Sequence, residues 1–249
     1  MGALVTLTAM TALWLLSLAI KDASIVDIFW GLGFVILVWA YFIYTANTST
    51  RHWLIAMLVT LWGLRLSIHL AKRNIGTGED YRYQKWRDEE GQRWWWLSFF
   101  RVFLLQGTIM WIVSISLLGA QITISQLKVL DFLAIFIWLI GFIFEVVGDW
   151  QLTQFRSNPD NQGKVLQTGL WRFSRHPNYF GDAVQWWAFY LIALSAGAWW
   201  TIISPIVMTF LLMRVSGVTL LENSLKKRKP EYQDYIDKTS AFFPLPPKG

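Results

Sequence analysis

Apolar runs long enough to cross a lipid bilayer recur along this chain, and they constrain it more than any other feature. A run of about 18 or more apolar residues reads as a membrane span, because a helix satisfies its own backbone where no water can. Seven such runs are placed at 2–20, 25–45, 52–71, 97–119, 128–149, 180–197 and 199–220. The first lacks a basic leading segment and a small-residue cleavage site before Lys21, so it is read as a span and not as a signal peptide. The predicted fold is all-α: a polytopic membrane protein of seven transmembrane helices in one domain, residues 1–249.

Composition and charge sharpen this reading. Charged residues make up 15% of the chain, against roughly 25% in a soluble domain. The basic residues alternate between loops. Lys72, Arg73, Arg82, Lys85, Arg87 and Arg93 fill the third loop, and Arg156, Lys164, Arg172 and Arg175 the fifth, while Lys226, Lys229, Lys238 and Lys248 lie in the tail. The opposite loops hold Arg51 and Lys128. The positive-inside rule then predicts an outside N-terminus and a cytoplasmic C-terminus. The net charge of +6 is read as this topology signal, and no nucleic-acid partner is expected. The basic, amphipathic tail at 221–249 is expected to pack under the bundle or at lipid headgroups. With no cysteine and three histidines, neither thiolate chemistry nor a metal cluster is expected. No obligate protein partner is evident either.

Ionisable residues inside spans cost a few kcal/mol each by insertion scales, so each asks for a partner or a purpose. Asp27 opens the second span. Trp62, Arg65 and His69 share one face of the third. Glu145 and Asp149 stand one turn apart in the fifth, and Asn178, Asp182, Gln185 and Trp186 share a face of the sixth. Arg214 and Glu222 lie two turns apart at the end of the seventh. Each has a plain structural reading; for Asp27 it is an ion pair with Arg65 or a helix cap. Together they predict a polar cavity open to the cytoplasm, with residues 150–180 as its lid. Arg65, Arg156, Lys164, Arg172, Arg175 and Arg214 suit an anionic group such as phosphate. Asp149 and Asp182 accept from hydroxyl or amide N–H groups, and Trp186 offers a stacking plane. That inventory suits a nucleotide cofactor. The glycines do not follow the G-x-G-x-x-G spacing, so a soluble dinucleotide-binding domain is not indicated. Pro177 at the start of the sixth helix, with free N–H groups beside Arg172 and Arg175, predicts an anion site.

The segments GDWQLTQFR (148–156), GLWRFSRHPNYFGDAVQWW (169–187) and LLEN…PEYQDY…FFPLPP resemble the steroid 5-alpha-reductase family, closest to its bacterial membrane members. VDIFWGLGF, LWGLRLS and GEDYRY are similar to the same group. The RHPNY segment is shared with sterol C14-reductases and isoprenylcysteine carboxyl methyltransferase. The resemblance implies a multi-pass protein of the bacterial inner membrane that holds NADPH in a cytoplasm-facing cavity. A lipophilic enone, steroid or other, would enter from the membrane lipids. It implies that Asp149 and Arg156 hold the nucleotide, and that Asn178 and Asp182 contact the nicotinamide half with Trp186 beside the ring. Arg214 would meet phosphate or ribose and Asn74 the adenosine end, with Lys164, His176 and Tyr179 among the cofactor-binding candidates. The implied reaction reduces a carbon–carbon double bond conjugated to a carbonyl. The Gln–Glu pair of the vertebrate enzymes' second helix is not present. Asp27 is the nearest carboxylate and His69 the nearest conventional proton donor, so these two are the catalytic candidates. An S-adenosylmethionine-dependent membrane methyltransferase and a lipid-binding protein without catalysis stay open as alternatives.

Overall fold

The computed structural model describes residues 1–46, 48–124, 126–215, 222 and 232–248, and among these every regular element is helical. The helices are α1 (Gly2–Ile20), α2 (Ile25–Thr45), α3 (Thr50–Asn74), α4 (Tyr81–Glu90), α5 (Trp94–Ser98), α6 (Leu105–Val113), α7 (Ile115–Gly119), α8 (Val129–Ser157), α9 (Pro177–Ser195), α10 (Ile203–Phe210) and α11 (Tyr232–Lys238). Among the described residues, five helical stretches are long and apolar enough to cross a membrane by length and composition: α1, α2, α3, Tyr81–Gly119 and α8. Trp199–Val215 is apolar but shorter. The chain is therefore all-α with several membrane-length helices. The expected seventh span runs beyond Val215 into residues outside the described set, as does the Lys226–Lys229 part of the tail.

The chain forms two compact units. The first contains Met1–Leu127 and Ala193–Thr201, and the second contains Lys128–Ile192 and Ile202–Gly249. In the first unit α1 buries small and polar residues, with Met10, and turns leucine outward. The buried residues of α1 are Gly2, Thr6, Met10 and Ser17, while Leu4, Leu7, Leu15 and Leu16 are exposed. This inversion of the soluble pattern suits lipid on the outer face and close helix packing inside. α2 and α3 meet where glycine faces glycine: a Cβ on Gly63 would lie 2.5 Å from the Gly31 carbonyl oxygen. Tyr81–Gly119 is broken where its backbone bonds change. Gly91 adopts φ +52°, Phe99–Leu104 widens to a π-turn, and Ser114 separates α6 from α7.

Arg51 departs from the loop position expected of it. It is fully buried at the start of α3, where Nη2 donates to the Gln126 carbonyl at 2.8 Å and the Ser195 hydroxyl at 3.2 Å. A buried guanidinium needs such acceptors, and these lie far away in sequence, so local pattern could not assign them.

In the second unit α8 and α9 run antiparallel and touch at glycines. A Cβ on Gly181 would lie 2.4 Å from the Gly141 carbonyl oxygen, and one on Gly141 would lie 2.6 Å from that of Gly181. α8 extends two turns past the expected end at residue 149. α9 begins at Pro177, as its sequence predicts.

Candidate functional site

The α8–α9 seam carries two polar pairs, one at its glycine contact and one toward the start of α9. Asn178 Nδ2 donates to Asp149 Oδ1 at 2.9 Å. Gln185 Nε2 donates to Glu145 Oε2 at 2.6 Å. Each pair sets a neutral carboxamide against a carboxylate, and the carboxylate dictates which end of the amide faces it. The amide oxygens, Asn178 Oδ1 and Gln185 Oε1, are buried and accept no hydrogen bond among the described residues. Trp138 Nε1, on the same α8 stripe, is likewise buried with no acceptor. Such groups cost about 1–3 kcal/mol each when left unmet. Asp149 and Asp182 are each 7% exposed, and Trp186 is fully enclosed, its ring edge-on to Phe189 at 5.4 Å.

The segment entering α9 is fixed from two sides. From α8, Gln151 Oε1 accepts from the Leu170 N–H at 3.0 Å, and Trp171 Nε1 donates to the Gly148 carbonyl at 3.1 Å. Gly169 is required there: its φ is +62° and a Cβ would collide with Gln151 at 2.3 Å. From the tail, Ser174 Oγ donates to the Phe242 carbonyl at 2.8 Å, and the Arg175 N–H donates to that of Ser240 at 2.9 Å. Arg175 is buried and donates through Nε to Glu222 Oε1 at 2.8 Å and through Nη1 to the carbonyls of Ile236 and Thr239. Tyr235 donates to the Trp171 carbonyl. His176 Nε2 lies 3.3 Å from Glu222 Oε1, and its ring stacks on Tyr179.

These contacts set the charges of the clasp. Burial alone would raise the Glu222 carboxyl, but bonds and charge from His176 and Arg175 outweigh it and hold the group down at about 2. Burial pushes the His176 imidazole below its usual value, against the pull of Glu222.

Not every expected cation stands at an anion site. Arg175 is committed to the tail, so the guanidinium expected beside the α9 N-terminus is a clasp instead. Arg156, Lys164, Arg172 and Arg214 are solvent-facing. The seam brings together Asp149, Asn178 and, one turn further along α9, Asp182.

The first unit places the remaining candidates. Asp27 Oδ2 accepts from Arg82 Nη2 at 3.0 Å and Oδ1 from the Tyr83 hydroxyl at 2.9 Å. Gln106 Nε2 donates to the Tyr83 oxygen at 3.1 Å, and Trp30 Nε1 donates to Gln106 Oε1 at 2.7 Å. Asp80 accepts from Arg82 Nε at 2.9 Å. Glu79 accepts from Arg87 Nε at 2.8 Å and the Ala23 N–H at 2.7 Å. Asp27 is thus an acceptor on both oxygens, and its cation is Arg82 where sequence pointed to Arg65. Arg65 and His69 are half-buried on α3, beside the enclosed Trp62. Asn74 ends α3 and accepts from Arg73 Nε at 2.9 Å. Sequence reasoning gave no site role to Gln151, Arg82 or Tyr83, read Gln185 as one member of a polar face, and did not foresee the Glu222 clasp. The signals were present in D-x-Q and GEDYRY, but partner identity was not.

An uncharacterised protein of Schizosaccharomyces pombe, C594.04c, is 27% identical over 278 residues, covering 98% of this chain and 78% of the relative. No solved structure matches. A family model matches residues 13–239, and the chain belongs to that family, described as "Protein of unknown function (DUF1295)".

Proposed function

We propose that this protein is an NADPH-dependent membrane reductase acting on a carbon–carbon double bond conjugated to a carbonyl in a steroid-like or other lipophilic substrate. The reading rests on the resemblance of its motifs to the steroid 5-alpha-reductases. The single structural observation that supports it is the Asp149–Asn178 pair with its unmet amide oxygen. A nicotinamide carboxamide offers the N–H donor that Asn178 Oδ1 lacks, so the residues present fit the group. NADPH, when bound, supplies the hydride.

The chain's own residues do the rest. Asp149 pins the Asn178 amide so that its oxygen faces the ligand. Asp182, one turn on, accepts from hydroxyl or amide hydrogens. Trp186 and Phe189 keep water away, which strengthens every polar contact made there. Solvent-facing Arg156, Lys164, Arg172 and Arg214 remain for phosphates. A donor must stabilise the developing oxyanion. His69 keeps that assignment, while Asp27 anchors Arg82 and Tyr83. In the same proposal the chain has seven spans, an outside N-terminus and a cofactor site facing the cytoplasm of a bacterial inner membrane. Since the chain has no cysteine, single Thr48→Cys and Lys164→Cys variants in cells report topology directly. An impermeant thiol reagent should label the first and spare the second.

One observation favours the methyltransferase alternative: with Arg175 tied to the tail, fewer cations remain for a pyrophosphate. Thermal stabilisation of detergent-purified protein by NADPH, NADH and S-adenosylmethionine separates the two, because a ligand that binds the folded state alone raises its melting temperature. A shift with NADPH is expected. A shift with S-adenosylmethionine alone overturns the reductase.

A further inference from the structure

The Asp149–Asn178 pair has a counterpart that the proposed function does not use. Glu145 and Gln185 repeat the arrangement at the Gly141–Gly181 contact itself, Glu145 beside Gly181 and Gln185 beside Gly141. Gln185 is fully buried and Glu145 is 3% exposed. The Gln185 side chain also touches the seam's own backbone through a long 3.4 Å bond from Nε2 to the Gly181 carbonyl. Both of its bonds therefore use the nitrogen. Turning the amide over would set its oxygen against the Glu145 carboxylate, so the orientation is fixed and Oε1 remains an acceptor without a donor. One turn beyond Gly141 on the same stripe, Trp138 is 3% exposed and presents an N–H without an acceptor.

We infer that Gln185 is a ligand-binding residue: an acceptor preset by Glu145 that takes an uncharged N–H or O–H donor, with Trp138 Nε1 as the complementary donor. A primary carboxamide and a hydroxyl both carry a donor beside an acceptor, and either matches this set. A purely structural pair would leave the buried Gln185 amide oxygen unmet for no gain, since an apolar pair of similar volume packs the same space without that cost. The donor has two possible sources, a hydroxyl on the lipophilic substrate or the cofactor's carboxamide, which would then meet Gln185 in place of Asn178. The cofactor source rests on the reductase reading; the buried pair itself does not.

The test uses the full-length protein in detergent with two variants, Gln185→Leu and the double variant Glu145→Leu/Gln185→Leu. Without ligand, the double variant is expected to melt at or above wild type. If it melts lower by about 5 °C or more, a loss of ~1–2 kcal/mol in a chain of this size, the pair is structural and the inference falls. Two probe pairs then read the ligand side: NADPH against its 3-acetylpyridine analogue, and a 3-oxo-4-ene steroid with a 17-hydroxyl against its 17-ketone. Wild type is expected to favour the donor-bearing member of one pair by ~10-fold, one hydrogen bond's worth. Gln185→Leu should bring that ratio close to one. Loss in the first pair assigns the donor to the carboxamide, and loss in the second to the substrate. A ratio unchanged by Gln185→Leu in both pairs overturns the inference. If NADPH fails to bind wild type while the steroid ratio still collapses, the reductase reading fails and the Gln185 assignment stands. If no probe binds, the melting comparison decides.

Discussion

The α2–α3 and α8–α9 crossings use the same device and differ in what they place around it. In each, two glycines bring backbones to within van der Waals reach, 2.5 Å from a notional Gly63 Cβ in one and 2.4 Å from a Gly181 Cβ in the other. Close to the first stands a network in which Asp27, Tyr83, Gln106 and Trp30 each have a named partner. Around the second stand two carboxylate–carboxamide pairs whose amide oxygens have none among the described residues. At the first crossing the polar groups are paired, the Ser67 hydroxyl accepting from the Leu32 N–H at 2.9 Å. Buried polar groups left incomplete in the second are better explained by something they bind than by the fold they sit in.

The crossings should be equally intolerant of bulk, and that sets the largest expected effect. Gly63→Ala and Gly181→Ala each push a methyl into a backbone carbonyl that cannot rotate away. Each should cost about 3 kcal/mol, the upper end for overpacking, or a melting-temperature loss of ~6–12 °C. If Gly181→Ala is tolerated while Gly63→Ala is not, the two seams are not built alike and the comparison breaks.

The next effect separates a closed network from an open one. Arg82→Gln leaves the Asp27 carboxylate without its cation. Removal of one partner from a fully buried pair costs several kcal/mol. Here the side chains are 32% and 22% exposed, so about 1–2 kcal/mol is expected after solvent screening. The double variant Asp27→Asn/Arg82→Gln should recover part of that loss by thermal melting. On the open seam the balance shifts from stability to binding. Asp149→Asn lets the Asn178 amide turn over. It should lower NADPH affinity ~10-fold, as loss of one oriented bond would, and move the ligand-free melting temperature little. A large stability loss with unchanged affinity would make the Asp149–Asn178 pair a network of the first kind.

How much of this was legible in sequence follows from the range of the interactions. The first two helices match their apolar runs end to end, because span length is a local property. The 97–119 span was read as continuous, yet it carries a π-turn and a break at Ser114. Neither changes hydropathy, so a hydropathy reading passes over both. Asp149 and Asn178 were legible as a polar face because helical spacing aligns each with its neighbours. Their pairing across 29 residues was not, nor was that of Asp27 with Arg82 across 55. Several basic residues on accessible loops offered themselves to Asp27, and only the path of the GEDYRY loop selects one. Arg175 shows the same limit from the other side. Its place beside a helix N-terminus predicted an anion, and the returning tail supplied Glu222 instead.

The smallest expected effect tests the two regions by acid. In the first unit, burial would raise the Asp80 carboxyl, but hydrogen bonds and charge from Arg82 hold it below its usual 3.8. A carboxyl with a depressed folded value contributes stability above its unfolded value and loses it only below, so this loop should not respond between pH 7 and 5. The α9 clasp contains a histidine and should respond. His176 lies below its usual 6.5 because it is buried. The unfolded chain therefore takes up that proton first, and stability begins to fall as pH drops through about 6.5. Glu222, held at about 2 against a usual 4.5, adds a second loss only below pH ~4.5. Protease release of the tail, followed from pH 7 to 3, should thus rise in two stages. His176→Gln should remove the upper stage and leave the lower, and Glu222→Gln should flatten the lower. An upper stage that survives His176→Gln would mean that a group other than this histidine produces it, with the clasp resting on Arg175 and Glu222.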